Sequence, residues 1–260
     1  MTNIISSDNI IFIGILASVI AGLFTGLGAL PIFFTRNISS KMLDVLLGFA
    51  AGVMLAATSF SLVIPSIEYG GGGFKGAGFA ALGILVGGLF LDFTDKYSPH
   101  THFLNSPERE NTESLAKLWL FIIAITIHNF PEGLAVGVGF GDGNIANGIT
   151  LAIGIGLQNM PEGLAVALAL LREKFSTKQA FLIALATGLV EPIGGIIGVV
   201  LVQIARPILP FALSFAAGAM LFVISNEIIP ETHKNGYERQ ATYGILIGFV
   251  LMMFLDVTLG

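Results

Sequence analysis

Two ten-residue stretches carry the residues able to do chemistry. They are Ile127-His128-Asn129-Phe130-Pro131-Glu132-Gly133-Leu134-Ala135-Val136 and, thirty residues on, Leu157-Gln158-Asn159-Met160-Pro161-Glu162-Gly163-Leu164-Ala165-Val166. Each sets polar and acidic groups inside a long apolar run. A carboxylate in the middle of a membrane span costs at least about 2 kcal/mol, so such groups face a partner, an ion or a water-filled path. His128 and Glu132 are four apart and Asn129 and Glu132 three apart, which puts them on adjoining parts of one helix face. Gln158, Asn159 and Glu162 repeat the pattern.

One imidazole, two carboxylates and several amides, in a chain without cysteine, suit a divalent first-row metal: carboxylate cancels its charge and imidazole is a ligand of intermediate softness. A closed structural zinc site would be four-coordinate. A set diluted with amides holds an ion weakly enough to let it go again. The plainer alternative is that these groups only hydrogen-bond to one another across two helices. For Asn129 and Asn159 the two readings balance. For Glu132 and Glu162 the plain one is weaker, because two like charges at one depth need a cation between them or a shared proton. Glu191-Pro192 is a third such unit, and Met54 offers a thioether at a similar depth, although a lone membrane methionine is more often packing.

The elements that must position these groups are membrane helices. The chain has 260 residues, 54% hydrophobic and 11% charged, with a mean hydropathy of +0.87. Soluble domains carry about 25% charged residues. At about 20 apolar residues per span, helices are expected near 10–33, 43–65, 77–95, 117–140, 147–171, 178–204, 208–230 and 241–259. The expected architecture is an all-α polytopic membrane protein, a single domain over 1–260, with eight transmembrane helices and proline-interrupted central helices. The first apolar run is longer than a signal peptide's core, so an uncleaved first span is expected.

Of the twelve Lys and Arg, Arg36, Lys41, Lys96, Arg109, Lys117, Arg172, Lys174, Lys178, Lys234 and Arg239 fall on one side of such a layout, and only Lys75 and Arg206 on the other. Basic loops stay in the cytoplasm, so both termini are expected outside it. The longest connection, about 96–116, is then cytoplasmic and carries His100 and His102. His128 lies about 15 Å into its span and Gln158 about 16 Å into the next, which places both motifs near midplane. Pro131 and Pro161 each remove one helical hydrogen bond beside them. Gly22, Gly26, Gly28, Gly194, Gly195 and Gly198 read as close helix packing. The Gly70–Gly73 run lacks the Lys-Ser/Thr ending of a phosphate loop and is expected to be a turn.

On the motifs His-Asn-Phe-Pro-Glu-Gly and Gln-Asn-Met-Pro-Glu-Gly, with Glu191-Pro192 in span six, the chain resembles the ZIP (ZRT/IRT-like) divalent metal transporters, close to their prokaryotic members. The resemblance covers nearly the whole chain. It implies uptake of metal into the cytoplasm across a bacterial inner membrane, through a binuclear centre. One position would use His128, Glu132, Gln158 and Glu162 with Met54, the other Asn129, Glu132, Asn159, Glu162 and Glu191. Family members often carry Asp at the position of Asn159, and Asn226 stands where some relatives have His. Glu68 would collect ions outside, and Asp92 or Asp95, Glu227, His100 and His102 would lead them out, with Glu231 and His233 either joining the exit or solvated.

The expected partners are the lipid bilayer and divalent metal, zinc first, with cadmium, iron and manganese open because one site binds several of them. The metal is cargo and no resident cofactor is expected. A homodimer is one open assembly, and the net charge of −5 gives no sign of nucleic acid. A secondary transporter is the leading expectation and a passive cation channel the alternative. A membrane metallohydrolase would need H-E-x-x-H, and position 129 is Asn.

Overall fold

The computed structural model describes residues 7–35, 38–97, 110–141 and 143–259, and among them every regular element is a helix. Helix α1 (Ser7–Ala29) closes in a 3-10 turn, Leu30–Phe33. Helix α2 (Ser40–Ala57) runs through a π-helical stretch, Thr58–Val63, into α3 (Ile64–Tyr69). Helix α4 is Gly73–Tyr97, α5 Glu110–Gly141 and α6 Ile145–Arg172. The sixth crossing is built from α7 (Thr177–Gly188) and α8 (Glu191–Ile204). Helix α9 (Leu209–Val223) continues through a second π-helical stretch, Ile224–Ile228, into α10 (Ile229–Thr232), and α11 is Glu238–Leu259. Seven of these segments are long and apolar enough to cross a membrane among the described residues, and α5, 32 residues long, stands where the eighth was expected. The chain is an all-α polytopic membrane protein.

Three sequence expectations need adjustment. The connection placed at 96–116 is shorter, because α4 reaches Tyr97 and α5 starts at Glu110. The central helices are not broken at their prolines: α5 continues past Pro131 and α6 past Pro161. A lost single bond is tolerated where neighbouring helices hold both sides of the defect. The real interruption lies in the sixth crossing, where Leu189 and Val190 separate α7 from α8 and Pro192 sits in the first turn of α8. Pro is at home there because the first turn's N–H groups have no intrahelical acceptor.

Local chemistry sets the ends. Ser39 accepts from the Met42 amide at 3.2 Å, Asn144 from the Asn147 amide at 3.1 Å, and Ser176 with Gln179 forms a reciprocal cap on α7. Such caps satisfy N–H groups left over at a helix start. The Gly70–Gly73 run is a turn, with Gly71, Gly72 and Gly73 at φ 98°, 66° and 51°, a region glycine enters without penalty. The α5–α6 turn uses Gly143 at φ 89°.

Packing sorts the helices. Helices α1, α5, α6, α7 and α8 contact one another, while α2 pairs with α11 and α4 with α9. Of those seven segments, the one formed by α6 is the most buried and the one formed by α11 the least. Large apolar side chains such as Leu16, Leu85, Leu89, Ile247 and Phe254 are exposed and form the lipid-facing surface that a spanning helix needs.

Candidate metal centre

The Pro-Glu-Gly triplets put the glycine next to each glutamate against a neighbouring backbone. A Cβ on Gly133 would lie 1.9 Å from the Glu191 carbonyl oxygen, and one on Gly163 would lie 1.9 Å from that of Thr25. Only glycine allows these crossings, so α8 lies directly on α5 one residue beyond Glu132, and α1 lies on α6 one residue beyond Glu162. The approach is reciprocal at Gly194, whose Cβ would meet the Phe130 carbonyl at 2.3 Å, and at Gly28, whose Cβ would meet the Met160 carbonyl at 2.0 Å. Gly22, Gly195 and Gly198 make comparable contacts, so the expectation of close packing holds for them.

These crossings gather His128, Asn129, Glu132, Gln158, Asn159, Glu162 and Glu191, all buried, the most exposed at 3%. Gln158 donates from Nε2 to Glu132 Oε1 at 2.6 Å, and Asn159 donates from Nδ2 to Glu191 Oε1 at 2.6 Å and to the Ala21 carbonyl at 3.0 Å. His128 Nε2 lies 2.6 Å from Glu227 Oε1, brought in by the π-helical stretch after α9. A carboxylate accepts from Nε2–H, which leaves Nδ1 as the imidazole's lone-pair donor to an ion, the usual histidine–carboxylate support of a metal ligand.

The bonds do not satisfy the cluster. Buried atoms without a hydrogen-bond partner include His128 Nδ1, both amide atoms of Asn129, Glu132 Oε2, Gln158 Oε1, Asn159 Oδ1, Glu162 Oε1 and Glu191 Oε2. Most are lone-pair atoms, and leaving one buried and unpaired costs about 1–3 kcal/mol. Glu132 is within electrostatic range of Glu162 and Glu191, and Glu162 of Glu227. Among the described residues no three His, Asp or Glu side chains are set to chelate an ion by themselves; acids alternate with amides. A divalent cation would supply the missing partner to oxygen and nitrogen at once, and its charge would offset the repulsion among the acids.

The remaining sequence candidates are dispersed. Met54 is fully buried in the main apolar cluster. Glu68 is exposed near the end of α3 and Asp92 is exposed on α4. His100, His102 and the Asp95 side chain lie outside the described residues. Glu227, expected along the exit, stands against the central imidazole itself.

Two polar features were missed from sequence. The Ala21 carbonyl that receives Asn159 has no side-chain signal. Asp256, half-buried on α11, accepts from the buried Ser61 hydroxyl at 2.5 Å, and an acid within the last apolar run was there to be read.

A family model described as ZIP Zinc transporter matches residues 100–256. The chain is 47% identical to "Zinc transporter GufA" of Myxococcus xanthus over 95% of this chain and 99% of that one. It is 41% identical to "Zinc transporter ZIPB" of Bordetella bronchiseptica over 100% of this chain and 86% of that one, and 36% identical to "Zinc transporter ZIP11" of Homo sapiens over 91% and 94%.

Proposed function

Because the chain belongs to the ZIP zinc transporter family, we propose that it carries zinc across a membrane into the cytoplasm through the centre formed by α5, α6 and α8. The observation that carries this reading is the buried set of lone-pair atoms without partners, contributed by three helices. His128, Glu132, Gln158 and Glu162 form the first position. Asn129, Asn159 and Glu191, with the far sides of Glu132 and Glu162, form the second.

Glu132 and Glu162 are shared, so a charge leaving one position remains paired from the other. The amides are neutral ligands and lower the depth of the well, as release requires. Glu227 holds the imidazole from the end of the seventh crossing that leads to Glu231 and His233. On the charge distribution of the loops that end is cytoplasmic and both termini are outside, in a bacterial inner membrane. Met54 would add a thioether ligand to the first position if its side chain turns from the apolar cluster toward the ion, and Glu68 gathers ions at the outer mouth. Among cadmium, iron(II) and manganese, cadmium competes best, because it matches zinc most closely in its tolerance of nitrogen and oxygen ligands together with a thioether.

Reconstitution in proteoliposomes tests the proposal. Uptake of radioactive zinc is expected to saturate and to vanish in Glu132→Ala and Glu162→Ala at equal membrane abundance. Without a pH gradient, uptake should fall between about pH 7.5 and 5.5, because protons compete with metal for imidazole and carboxylate. Uptake that rises linearly without limit supports a channel instead, and normal uptake by either alanine variant removes the shared-carboxylate centre.

A further inference from the structure

Helices α1 and α7 pack side by side, yet they leave a groove of ≈ 410 Å³ open along one side. Its walls are Ile20, Leu23, Leu27 and Leu30 on α1 with Phe181 and Leu185 on α7. The four from α1 are 38–47% exposed. Gly26 also belongs to the lining, and a Cβ there would lie 2.7 Å from Leu185 Cδ1, so the missing side chain lets α7 come close while the leucines stand up beside it. The volume is that of a small-molecule pocket, and every side chain around it is apolar. Because α1 is a membrane span, the groove opens to hydrocarbon.

The level of the groove and the charge at its end follow from the same corner of the molecule. Lys178, Phe181 and Leu185 are spaced i, i+3 and i+7 on α7, which sets the lysine on the groove's own face, about 4.5 Å along the axis from Phe181. Trp119, 41% exposed, stands edge-on to Phe175 with ring centroids 6.2 Å apart. A half-exposed tryptophan belongs at the boundary between hydrocarbon and headgroups, and Phe175 lies in the α6–α7 turn, so that turn is at headgroup level. Arg172, Lys174 and Lys178 are all exposed there, and among the described residues none of them is in an ion pair. Lys174 has φ 65°, a left-handed conformation at a helix end where glycine is the usual residue. The N-terminus of α7, which starts at Thr177, adds partial positive charge.

On these observations, and taking the turn as cytoplasmic as proposed above, we infer that the α1–α7 groove seats one anionic phospholipid of the cytoplasmic leaflet. One acyl chain fills the groove. The phosphodiester meets Lys178 at its end, and Arg172 and Lys174 add to the field that holds a net negative headgroup. A zwitterionic lipid offers the same chains but gains less, because its own cation offsets the phosphate. The same two helices meet backbone to backbone at Gly22, whose Cβ would lie 2.3 Å from the Gly188 carbonyl oxygen, just ahead of the interruption in the sixth crossing. A lipid seated on both therefore strengthens that crossing.

Native mass spectrometry of the full-length protein, released from nanodiscs of equal phosphatidylcholine and phosphatidylglycerol, counts the lipids retained, and Tm is measured in discs of each lipid. The wild type is expected to retain one phosphatidylglycerol in preference to phosphatidylcholine and to melt roughly 2–4 °C higher in phosphatidylglycerol. Lys178→Gln should lower the retained phosphatidylglycerol about fivefold, the factor for one basic residue at a membrane surface. Leu27→Trp, which fills the groove with an indole and keeps every basic residue, should release the lipid as well, with its Tm in phosphatidylcholine unchanged. Lys75→Gln, in the turn before α4, should change nothing. Equal retention of both lipids by the wild type overturns the inference. So does a lipid lost on Lys178→Gln but kept on Leu27→Trp, which would mean diffuse attraction, or a dimer sensitive to Leu27→Trp in place of a lipid, which would make a second copy the occupant. The assay needs no metal, so its failure leaves the transport centre standing, and failure of the zinc assays leaves the lipid site standing.

Discussion

The two helix groups are packed by the same device and furnished differently. In the first, α1, α5, α6, α7 and α8 cross through Gly22, Gly28, Gly133, Gly163 and Gly194. In the second, a Cβ on Gly52 would lie 2.0 Å from the Ile245 carbonyl and one on Gly248 2.1 Å from that of Phe49, joining α2 to α11, while Gly87 and Gly218 join α4 to α9 at 2.0 Å each. Backbone thus meets backbone within each group. Where α6 meets α11, Gly154 faces the Met252 side chain instead, its Cβ position 2.5 Å from the sulfur. The first group supplies all seven of the buried polar residues gathered at the centre; the second is hydrogen-bonded to them through Glu227. Glycine crossings therefore build helix groups in general, and Pro-Glu ahead of the glycine makes one of them a site.

The largest effect expected from breaking this comparison comes from Gly133→Leu. No rotamer relieves a Cβ 1.9 Å from a main-chain oxygen, so α8 must move off α5 and take Glu191 with it. A loss of about 3 kcal/mol or more is expected, read as failure to accumulate in the membrane or as a collapsed Tm. Gly88→Ala is the control: its nearest neighbour is the Gly218 carbonyl at 3.7 Å, an ordinary contact, and it should behave as wild type. If Gly133→Leu accumulates normally and retains zinc binding, the crossing does not position Glu191.

A smaller effect is expected where the second group touches the first. Glu227→Gln keeps the size of the side chain and can still meet His128, but a neutral amide no longer compensates a cation on the imidazole. Loss of such supporting partners costs metal sites about 10–100-fold in affinity. Zinc binding by the variant should weaken within that range while Tm changes little, because Glu227 is 24% exposed. An unchanged affinity would mean that the His128 contact serves packing alone and that the centre belongs wholly to the first group.

Much of this was legible in the sequence because it is written in side chains with a strong cost of misplacement. The eight apolar runs, the paired motifs and Glu191-Pro192 all follow from the expense of burying polar groups in hydrocarbon. What could not be read lies in the backbone. The Ala21 carbonyl is an acceptor without a side-chain signature, and Gly133 and Gly163 look like any of the 33 glycines until their neighbours are known. The prolines were misleading in a specific way. Pro131 and Pro161 suggested breaks, yet packing on both sides carries α5 and α6 through them, while the sixth crossing, with Pro192 in the first turn of its second half, does separate. Glu227, which meets His128, lies in the π-helical stretch Ile224–Ile228, a feature that local sequence does not announce.

Met54 offers the finest test of where the second group ends and the centre begins. Its side chain is fully buried in the main apolar cluster on α2, four residues before the π-helical stretch that starts at Thr58. Two roles fit a methionine there. As packing, it fills an irregular gap with a flexible chain; as a ligand, it offers a thioether that cadmium prefers more strongly than zinc does. Met54→Leu separates them because the two side chains have similar volume, so stability should change by less than about 1.5 kcal/mol in either case. A ligand role predicts a zinc affinity lowered only severalfold and a cadmium affinity lowered more, with the preference between the two metals shifted toward zinc. A packing role predicts both affinities unchanged. Competition of cadmium against radioactive zinc on wild type and Met54→Leu measures that shift directly, and an unshifted ratio returns Met54 to the apolar wall of the second group.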